Sequence, residues 1–253
     1  QVQFWPDKKN LVGRQTQTLL KKFPDVTLEQ LQRSSVVVQG LSAYEYALFD
    51  ENVDLTNPDV KAAYCPLLNA IGQHQAQLAG KVLAQWQDKN GMLHQLESFP
   101  NDRYIDASEA LTDLFRVHVG ALDGLKKKLA MPIGSLSKGI PQPLQAESWR
   151  SDNSLRSMTA TIHGANQVWQ SAFKPQLDTS QGDLSARIDN AYARTLEILS
   201  KHNLPLRTQL DNDKGRAELE ELYGQLDRLH RLQQNDLARA LNIQVGFNAH
   251  DGD

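Results

Sequence analysis

Residues 217–232 read AELEELYGQLDRLHRL and carry a leucine at every third or fourth position. This spacing places the leucines on one face of an α-helix and leaves the charged residues around the rest of it. The leucines are Leu219, Leu222, Leu226, Leu229 and Leu232. A helix with one apolar face buries it by packing on other helices, so the stretch predicts a bundle helix over 214–242.

The same periodicity predicts two longer helices earlier in the chain. One starts after Asn57 and Pro58, which suit a helix cap and a first helical turn, and it ends before Asn90. The other covers residues 102–129. The apolar side chains expected to face inward are Leu68, Ile71, Leu78, Val82 and Leu83 on the first helix, and Ala110, Leu114, Val117, Ala121 and Leu125 on the second.

The remaining helices are predicted over 7–23, 27–50, 152–171 and 183–202. Thr27 and Gln30 have the spacing of a capping box. Residues 131–145, MPIGSLSKGIPQPLQ, hold three prolines and two glycines and lack a helical stripe. We therefore predict an all-α protein with an N-terminal helical bundle over 1–131, a linker over 132–145 and a C-terminal helical bundle over 146–253.

Composition excludes several classes of protein. The 253 residues have a formal net charge of -3 and a mean hydropathy of -0.51, without the run of about 18 apolar residues that a transmembrane segment needs. The basic run Lys126–Lys128 lacks stacking aromatics, so no nucleic acid is expected as a partner. The single cysteine, Cys65, cannot form an internal disulfide and is expected to be buried.

The first residue is Gln1 rather than methionine. We therefore expect an upstream segment, in which a signal peptide or a lipid-anchor cysteine would lie.

Common catalytic signatures are missing from the sequence. There is no HExxH, GxSxG, Walker loop or dinucleotide fingerprint, which disfavours a standard hydrolase, kinase or dehydrogenase. The seven histidines are scattered singly over different predicted helices. We therefore assign no catalytic residue.

Residues 40–50, GLSAYEYALFD, form the segment with the strongest functional character, on a helix expected to be largely buried. Gly40 and Ser42 leave space, and Ser42 and Glu45 lie three residues apart, so both can face one ligand, water or metal. The alternative is that Ser42 and Glu45 form a capping box at a helix start. The preceding SVVVQ is compatible with helix or strand.

This segment resembles the GxHxxE signature of the imelysin-like proteins, the peptidase M75 group. Gly40 and Glu45 are in register, and Ser42 stands where the histidine is expected. Three other stretches support the resemblance: QFWPDKKNLVGRQ at 3–15, ESWRSDNSL at 147–155 and GFNAHDGD at 246–253.

The resemblance implies an all-α fold of two helical-bundle halves packed side by side, with the signature at their interface. It also implies a bacterial protein that is periplasmic or anchored in the cell envelope as a lipoprotein and that acts in iron uptake. Iron or another divalent or trivalent metal is the implied cofactor, and other iron-uptake components of the envelope are the implied partners. A serine hydroxyl is a weaker metal ligand than imidazole, so Glu45 becomes the candidate ligand.

The flanking motifs supply the other candidate residues. Arg150 and Asp152 can pair with Glu45 or hold an anionic ligand. Alternatively, Asp152 caps the following helix. Asp251 and Asp253 offer oxygen ligands for a metal, although a solvated chain end is the alternative.

The sequence is compatible with three functions. The leading hypothesis is an imelysin-like periplasmic protein of bacterial iron uptake that binds a metal, ligand or partner at the interface of its two halves without peptidase activity. The alternatives are a metallopeptidase of the M75 type and a helical protein-interaction module.

Overall fold

The computed structural model of the chain describes residues 2–243. Over these residues the chain is helical and contains no β-strand, which confirms the all-α prediction. The chain divides into two compact units, one formed by Gln1–Ser98 with Glu147–Asp152 and the other by Phe99–Ala146 with Asn153–Asp253. Within residues 2–243, no helix has the length and apolar character needed to cross a bilayer.

Three helices of the first unit start at a residue whose side chain caps them, namely Asn10, Thr27 and Asn57. The helices of this unit are α1 (Leu11–Lys22), α2 (Leu28–Gln32), α3 (Leu41–Phe49), α4 (Pro58–Gln87) and α5 (Met92–Glu97). Asn57 accepts hydrogen bonds from the first free amides of α4, and Thr27 and Gln30 form the predicted capping box of α2. The ambiguous SVVVQ stretch contains a 3₁₀ turn, Val36–Val38.

The core of the first unit forms where α1, α3 and the first half of α4 pack together. Its buried side chains include Val12, Leu31, Ala43, Tyr46, Leu67 and Ile71. The predicted inward face of α4 is wrong at its second half, where Val82 and Leu83 are 46% and 56% exposed. Helical periodicity locates an apolar stripe but does not show how far along the helix its neighbours extend. Cys65, expected to be buried, is exposed.

The second unit contains a four-helix bundle. Its helices are α6 (Ala107–Ile133), α7 (Ser154–Val168), α8 (Gly182–Lys201), α9 (Leu206–Gln209), α10 (Asp213–Arg231) and α11 (Ala238–Ala240). Both α6 and α8 pack against α7 on one side and α10 on the other. The leucine stripe of α10 is buried as predicted, and π-helical segments, Trp169–Phe173 and Leu232–Leu237, follow α7 and α10.

Helix α6 buries only part of its predicted face, because Ala110 and Leu125 are buried as predicted and the three predicted residues between them are not. Leu114 is 37% exposed and Val117 73% exposed, and Ala121 is exposed too, whereas Phe115 and Leu122 are buried. The two candidate stripes are offset by one residue. The observed face buries the Phe115 ring edge-to-face on Phe173, with ring centroids 5.4 Å apart, and this aromatic contact favours it.

The division into units differs from the predicted boundary at 132–145. Helix α6, placed by the sequence in the N-terminal half, packs in the second unit, and Glu147–Asp152 returns to the first. The proline-rich segment follows a genuine helix end. Gly134 has φ 91°, and a Cβ there would lie 2.6 Å from the backbone of Ile140, so only glycine fits without strain.

Candidate functional site

Ser42 is held by the backbone of the N-terminal segment. Its Oγ accepts a hydrogen bond from the Phe4 N–H at 3.0 Å and donates one to the Phe4 carbonyl at 3.1 Å. Leu41, the first residue of α3, donates its N–H to the Val2 carbonyl at 2.7 Å. The N-terminal segment thus lies along the start of α3 and uses both the donor and an acceptor site of the Ser42 hydroxyl.

The capping-box alternative for this segment is wrong. Helix α3 begins at Leu41 with Gly40 in the capping position, and no side chain caps it. Ser42 therefore lies within the first turn, where it faces the N-terminal segment. The expectation of a largely buried helix holds for one face only, because Leu41 and Phe49 are exposed while Ala43 and Tyr46 are buried.

Glu45 binds the loop that returns from the later part of the chain. Its Oε1 accepts hydrogen bonds from the Ser151 N–H at 2.9 Å and from the Ser151 hydroxyl at 2.7 Å. Ser151 belongs to the ESWRSDNSL motif. The signature glutamate and this motif therefore meet within the first unit.

Arg150, the neighbour of Ser151, pairs with Asp50 instead of the predicted Glu45. Its Nε donates to Asp50 Oδ2 at 2.7 Å, and both side chains are only 5% exposed. The guanidinium also donates to Asn10 Oδ1 at 2.8 Å and lies over the rings of Trp149 and Tyr46. A buried charge of this kind is tolerated because both ions are hydrogen-bonded.

The buried carboxylate of Asp50 stays ionised because of its partners. Burial by itself would raise the pKa of Asp50, but hydrogen bonds from Arg150 and Asn52 hold it below the usual range. Asn52 contributes both its backbone N–H and its side-chain amide to Asp50 Oδ1, at 3.1 and 2.9 Å. Asp50 is thus fixed as an anion at neutral pH.

Asn10 links this ion pair to α1. The residue has a left-handed backbone, φ 48°, and its Oδ1 accepts a hydrogen bond from the Gly13 N–H as well as from Arg150. A Cβ on Gly13 would lie 2.8 Å from Asn10 Oδ1 and 2.9 Å from the Tyr46 ring, so α1 approaches α3 closely here. Asn10 and Gly13 both belong to QFWPDKKNLVGRQ.

Three of the four sequence stretches therefore meet in one place, which we call the motif cluster: Asn10, Ser42, Glu45, Asp50, Arg150 and Ser151. Of the predicted residues, Ser42, Glu45 and Arg150 are in the cluster, and Gly40 starts the helix that carries two of them. Asp152 is exposed at the loop end, and it does not cap α7, whose capping position is Asn153. Asp251, Asp253 and the rest of GFNAHDGD lie outside the described residues.

Sequence reasoning missed Asn10, Asp50 and Ser151. Local features of the sequence could have indicated Asp50 and Asn10. Asp50 ends the quoted segment as an acidic residue beside apolar ones, and Asn10 stands directly before a helix, where asparagine caps are frequent. Ser151 has no such feature, since its partner lies 106 residues away.

The cluster does not form a metal centre from its own side chains. Among residues 2–243, no three His, Cys, Asp or Glu side chains are grouped so that they could hold a metal ion. The Ser42 hydroxyl is bonded to Phe4 and the Asp50 carboxylate to Arg150 and Asn52, so Glu45 is the other carboxylate of the cluster. Bound zinc or calcium takes roughly four to eight donors. The donor set suits hydrogen bonding better than metal ligation.

The fold and the cluster together define an all-α protein in which a helix-borne GxSxxE segment joins motifs from distant parts of the chain. Comparison with known families gives the same assignment as the motifs. The family model described as imelysin, peptidase M75, matches residues 1–233, and the chain belongs to this family.

A solved structure has the same fold. It is an imelysin-like protein from Psychrobacter arcticum 273-4, with a TM-score of 0.77 and 22% sequence identity, and the match covers 97% of this chain and 72% of that one. No curated protein matches the sequence.

Proposed function

We propose that this member of the imelysin family is a binding protein of the bacterial periplasm, free or anchored in the envelope as a lipoprotein. It acts in iron uptake by holding a ligand or partner. Its partners are other iron-uptake components of the envelope. It does not hydrolyse peptides. Family membership and the four matching stretches support the family's role and location as the starting expectation.

One observation supports the proposed lack of peptidase activity. The polar groups of the signature are engaged by the chain itself: Ser42 by the Phe4 backbone and Glu45 by Ser151. A peptidase needs a nucleophile beside a base, or a metal that activates water. Ser42 has a backbone carbonyl as its acceptor, which cannot serve as a general base at neutral pH.

The same observation favours a ligand or partner over a resident metal. The cluster joins an N-terminal segment, α3 and the returning loop, so its hydrogen bonds fix the shape of the surrounding surface. Neighbouring aromatic side chains, Tyr44 and Trp149, are half-buried beside it and offer apolar contact area.

Titration with ferric, ferrous and zinc ions tests the metal question. We expect no stoichiometric binding to the purified wild-type protein by calorimetry. Tight binding that Glu45→Ala abolishes would establish a metal site at Glu45 and overturn this part of the proposal.

Digestion of an unbiased peptide library, with and without a chelator, tests the enzymatic alternative. We expect no cleavage above a buffer control. Metal-dependent cleavage that is lost in Glu45→Gln would make the protein a metallopeptidase.

The role in iron uptake is tested in the organism that encodes the chain. Deletion of the gene is expected to slow growth when iron is limiting, and the wild-type gene is expected to restore it. Unchanged growth and unchanged cellular iron in the deletion strain would contradict the role.

A further inference from the structure

Two adjacent cavities, of about 350 and about 220 Å³, lie along α8 and α10 in the second unit. Both are lined by Arg187 and Arg228. Arg194 lines one cavity and Arg231 the other. We call this surface the arginine groove, defined by Arg187 and Arg194 on α8 and by Arg228 and Arg231 on α10. It is separate from the motif cluster, which belongs to the first unit.

Helical spacing explains how the arginines converge. Arg187 and Arg194 are seven residues apart, or about two turns, so they project from one face of α8 and lie about 10 Å apart along its axis. Arg228 and Arg231 are three residues apart and share a face of α10. The ionisable residues that line the two cavities are four arginines and two aspartates, Asp227 and Asp236, and Glu197 and Glu221 lie beside Arg194 just outside the lining.

Three of the four arginines have acidic partners. Arg187 pairs with Asp236 at 2.8 Å. Arg194 pairs with Glu197 and Glu221, and Arg231 with Asp227. Asp227 is in turn shared with Lys126 at 2.9 Å, so one carboxylate serves two cations. Burial opposes the ionisation of Asp227, but its hydrogen bond with Lys126 and the nearby positive charges hold the pKa of Asp227 below its usual range.

Arg228 differs from the other three. Within the part of the chain that the structure describes, its guanidinium has neither an acidic nor a hydrogen-bonding partner. It lines both cavities, so it stands between the paired arginines. Its donors therefore lie at the groove without an acceptor from residues 2–243.

Gly224 is an exposed residue of α10 that lines the larger cavity. Glycine is the least favourable residue in a helix interior after proline, yet a Cβ at Gly224 would meet nothing within 4 Å. Packing within the described chain therefore does not demand a glycine here. The π-helical segment Leu232–Leu237 follows directly and brings Asn235 and Asp236 to the groove, and such segments are frequent at functional sites.

We propose that the arginine groove binds a small polyanion with two or more carboxylate or phosphate groups, and that Arg228 makes the principal contact. A guanidinium matches the two oxygens of a carboxylate or phosphate with parallel hydrogen bonds. The extent of the groove along α8 suits a ligand with more than one anionic group. This proposed site does not depend on the proposed role of the protein in iron uptake.

Calorimetric titration of the purified protein tests this site. The probes are tricarballylate and pyrophosphate, with acetate and orthophosphate as ligands with a single anionic group. We expect the polyanions to bind more tightly than the single-group ions, and their relative affinities tell a carboxylate ligand from a phosphate ligand. Loss of a charge-assisted contact should weaken binding about tenfold in Arg228→Gln.

Two further variants separate a specific site from general electrostatics. Gly224→Leu places an apolar side chain in the lining of the larger cavity without altering charge and is expected to reduce binding strongly, with its folding checked by circular dichroism. Arg156→Gln removes an exposed arginine of α7 that lines neither cavity and is expected to bind like the wild type. Absence of polyanion binding, or equal weakening in Arg228→Gln and Arg156→Gln, overturns the proposal.

Discussion

Ser151 donates both its backbone N–H and its hydroxyl to one carboxylate oxygen of Glu45, at 2.9 and 2.7 Å. The glutamate thereby fixes the backbone of a loop that contains left-handed residues at Ser148 and Asp152, with φ 53° and φ 55°. Non-glycine residues adopt this conformation at a cost, so the loop needs external contacts to keep its shape.

Removal of the Glu45 carboxylate should loosen this loop. We expect Glu45→Ala to lower the free energy of unfolding by about 2 kcal/mol, since hydrogen bonds to a charged group are lost. Amide exchange at Ser151 should become faster. Glu45→Gln keeps an acceptor oxygen and should have the smaller effect, and equal exchange rates in wild type and Glu45→Ala would contradict the assignment.

Removal of one partner of the Arg150–Asp50 ion pair should destabilise the protein more than removal of both partners. Arg150→Ala leaves a buried carboxylate without its main partner and is expected to cost about 3–5 kcal/mol in urea unfolding. The double substitution Arg150→Met with Asp50→Leu removes both charges and should recover most of that loss. A double variant as unstable as Arg150→Ala would show that the charges themselves are required.

Stability of the second unit should depend on His118. This side chain is buried, with Nε2 3.2 Å from the Tyr192 hydroxyl and its ring 5.1 Å from that of Phe173. Burial lowers the pKa of His118 from 6.5 to about 4, and an interaction with the Gln233 side chain opposes part of this shift. The folded state thus keeps His118 neutral while the unfolded chain takes up a proton.

The sign of the effect follows from the lowered pKa. Neutral His118 makes its full contribution to the free energy of unfolding above pH 6.5. This contribution is lost as the pH falls towards 4, and the total loss is about 3 kcal/mol. Urea unfolding at pH 7 and pH 4.5 should show a larger loss for the wild type than for His118→Gln. Equal losses would mean that other groups account for the pH dependence.

Two glycines of the α6 region should respond in opposite directions to alanine. Gly134→Ala places a Cβ against the Ile140 backbone at a positive φ, and it is expected to destabilise the protein by more than about 1 kcal/mol. Gly120→Ala, in mid-helix with nothing within 4 Å of the added Cβ, should stabilise it by about 0.5–1 kcal/mol. Thermal unfolding of the two variants decides the matter, and a shift of the same sign in both would contradict this reading.

Most helices could be predicted because their determinants are local, although the helix predicted over 27–50 divides into α2, a 3₁₀ turn and α3. The leucine stripe of α10 and the caps at Thr27 and Asn57 each depend on residues within a few positions of one another. The middle of the inward face of α6 was predicted wrongly because two apolar stripes lie one residue apart there, and the packing of Phe115 on Phe173 distinguishes them, whereas Ala110 and Leu125 are buried as predicted.

Only the residues of the candidate site that share one helix turn could be predicted from the sequence. Ser42 and Glu45 share a helix turn, which their spacing indicates. Their partners do not follow from spacing, since Phe4 is 38 residues from Ser42, and Ser151 is 106 residues from Glu45. The pairing of Arg150 with Asp50 instead of Glu45 was likewise decided by the tertiary fold, because both carboxylates lie on or next to α3.

The return of Glu147–Asp152 to the first unit has a consequence for folding. Asn10 and Asp50 gain the Arg150 guanidinium only when this segment, which follows all of α6 in the sequence, docks on the first unit. A fragment that ends before residue 147 therefore has an Asp50 carboxylate without its main counter-ion. The N-terminal fold is completed by a segment that lies a hundred residues further along the chain.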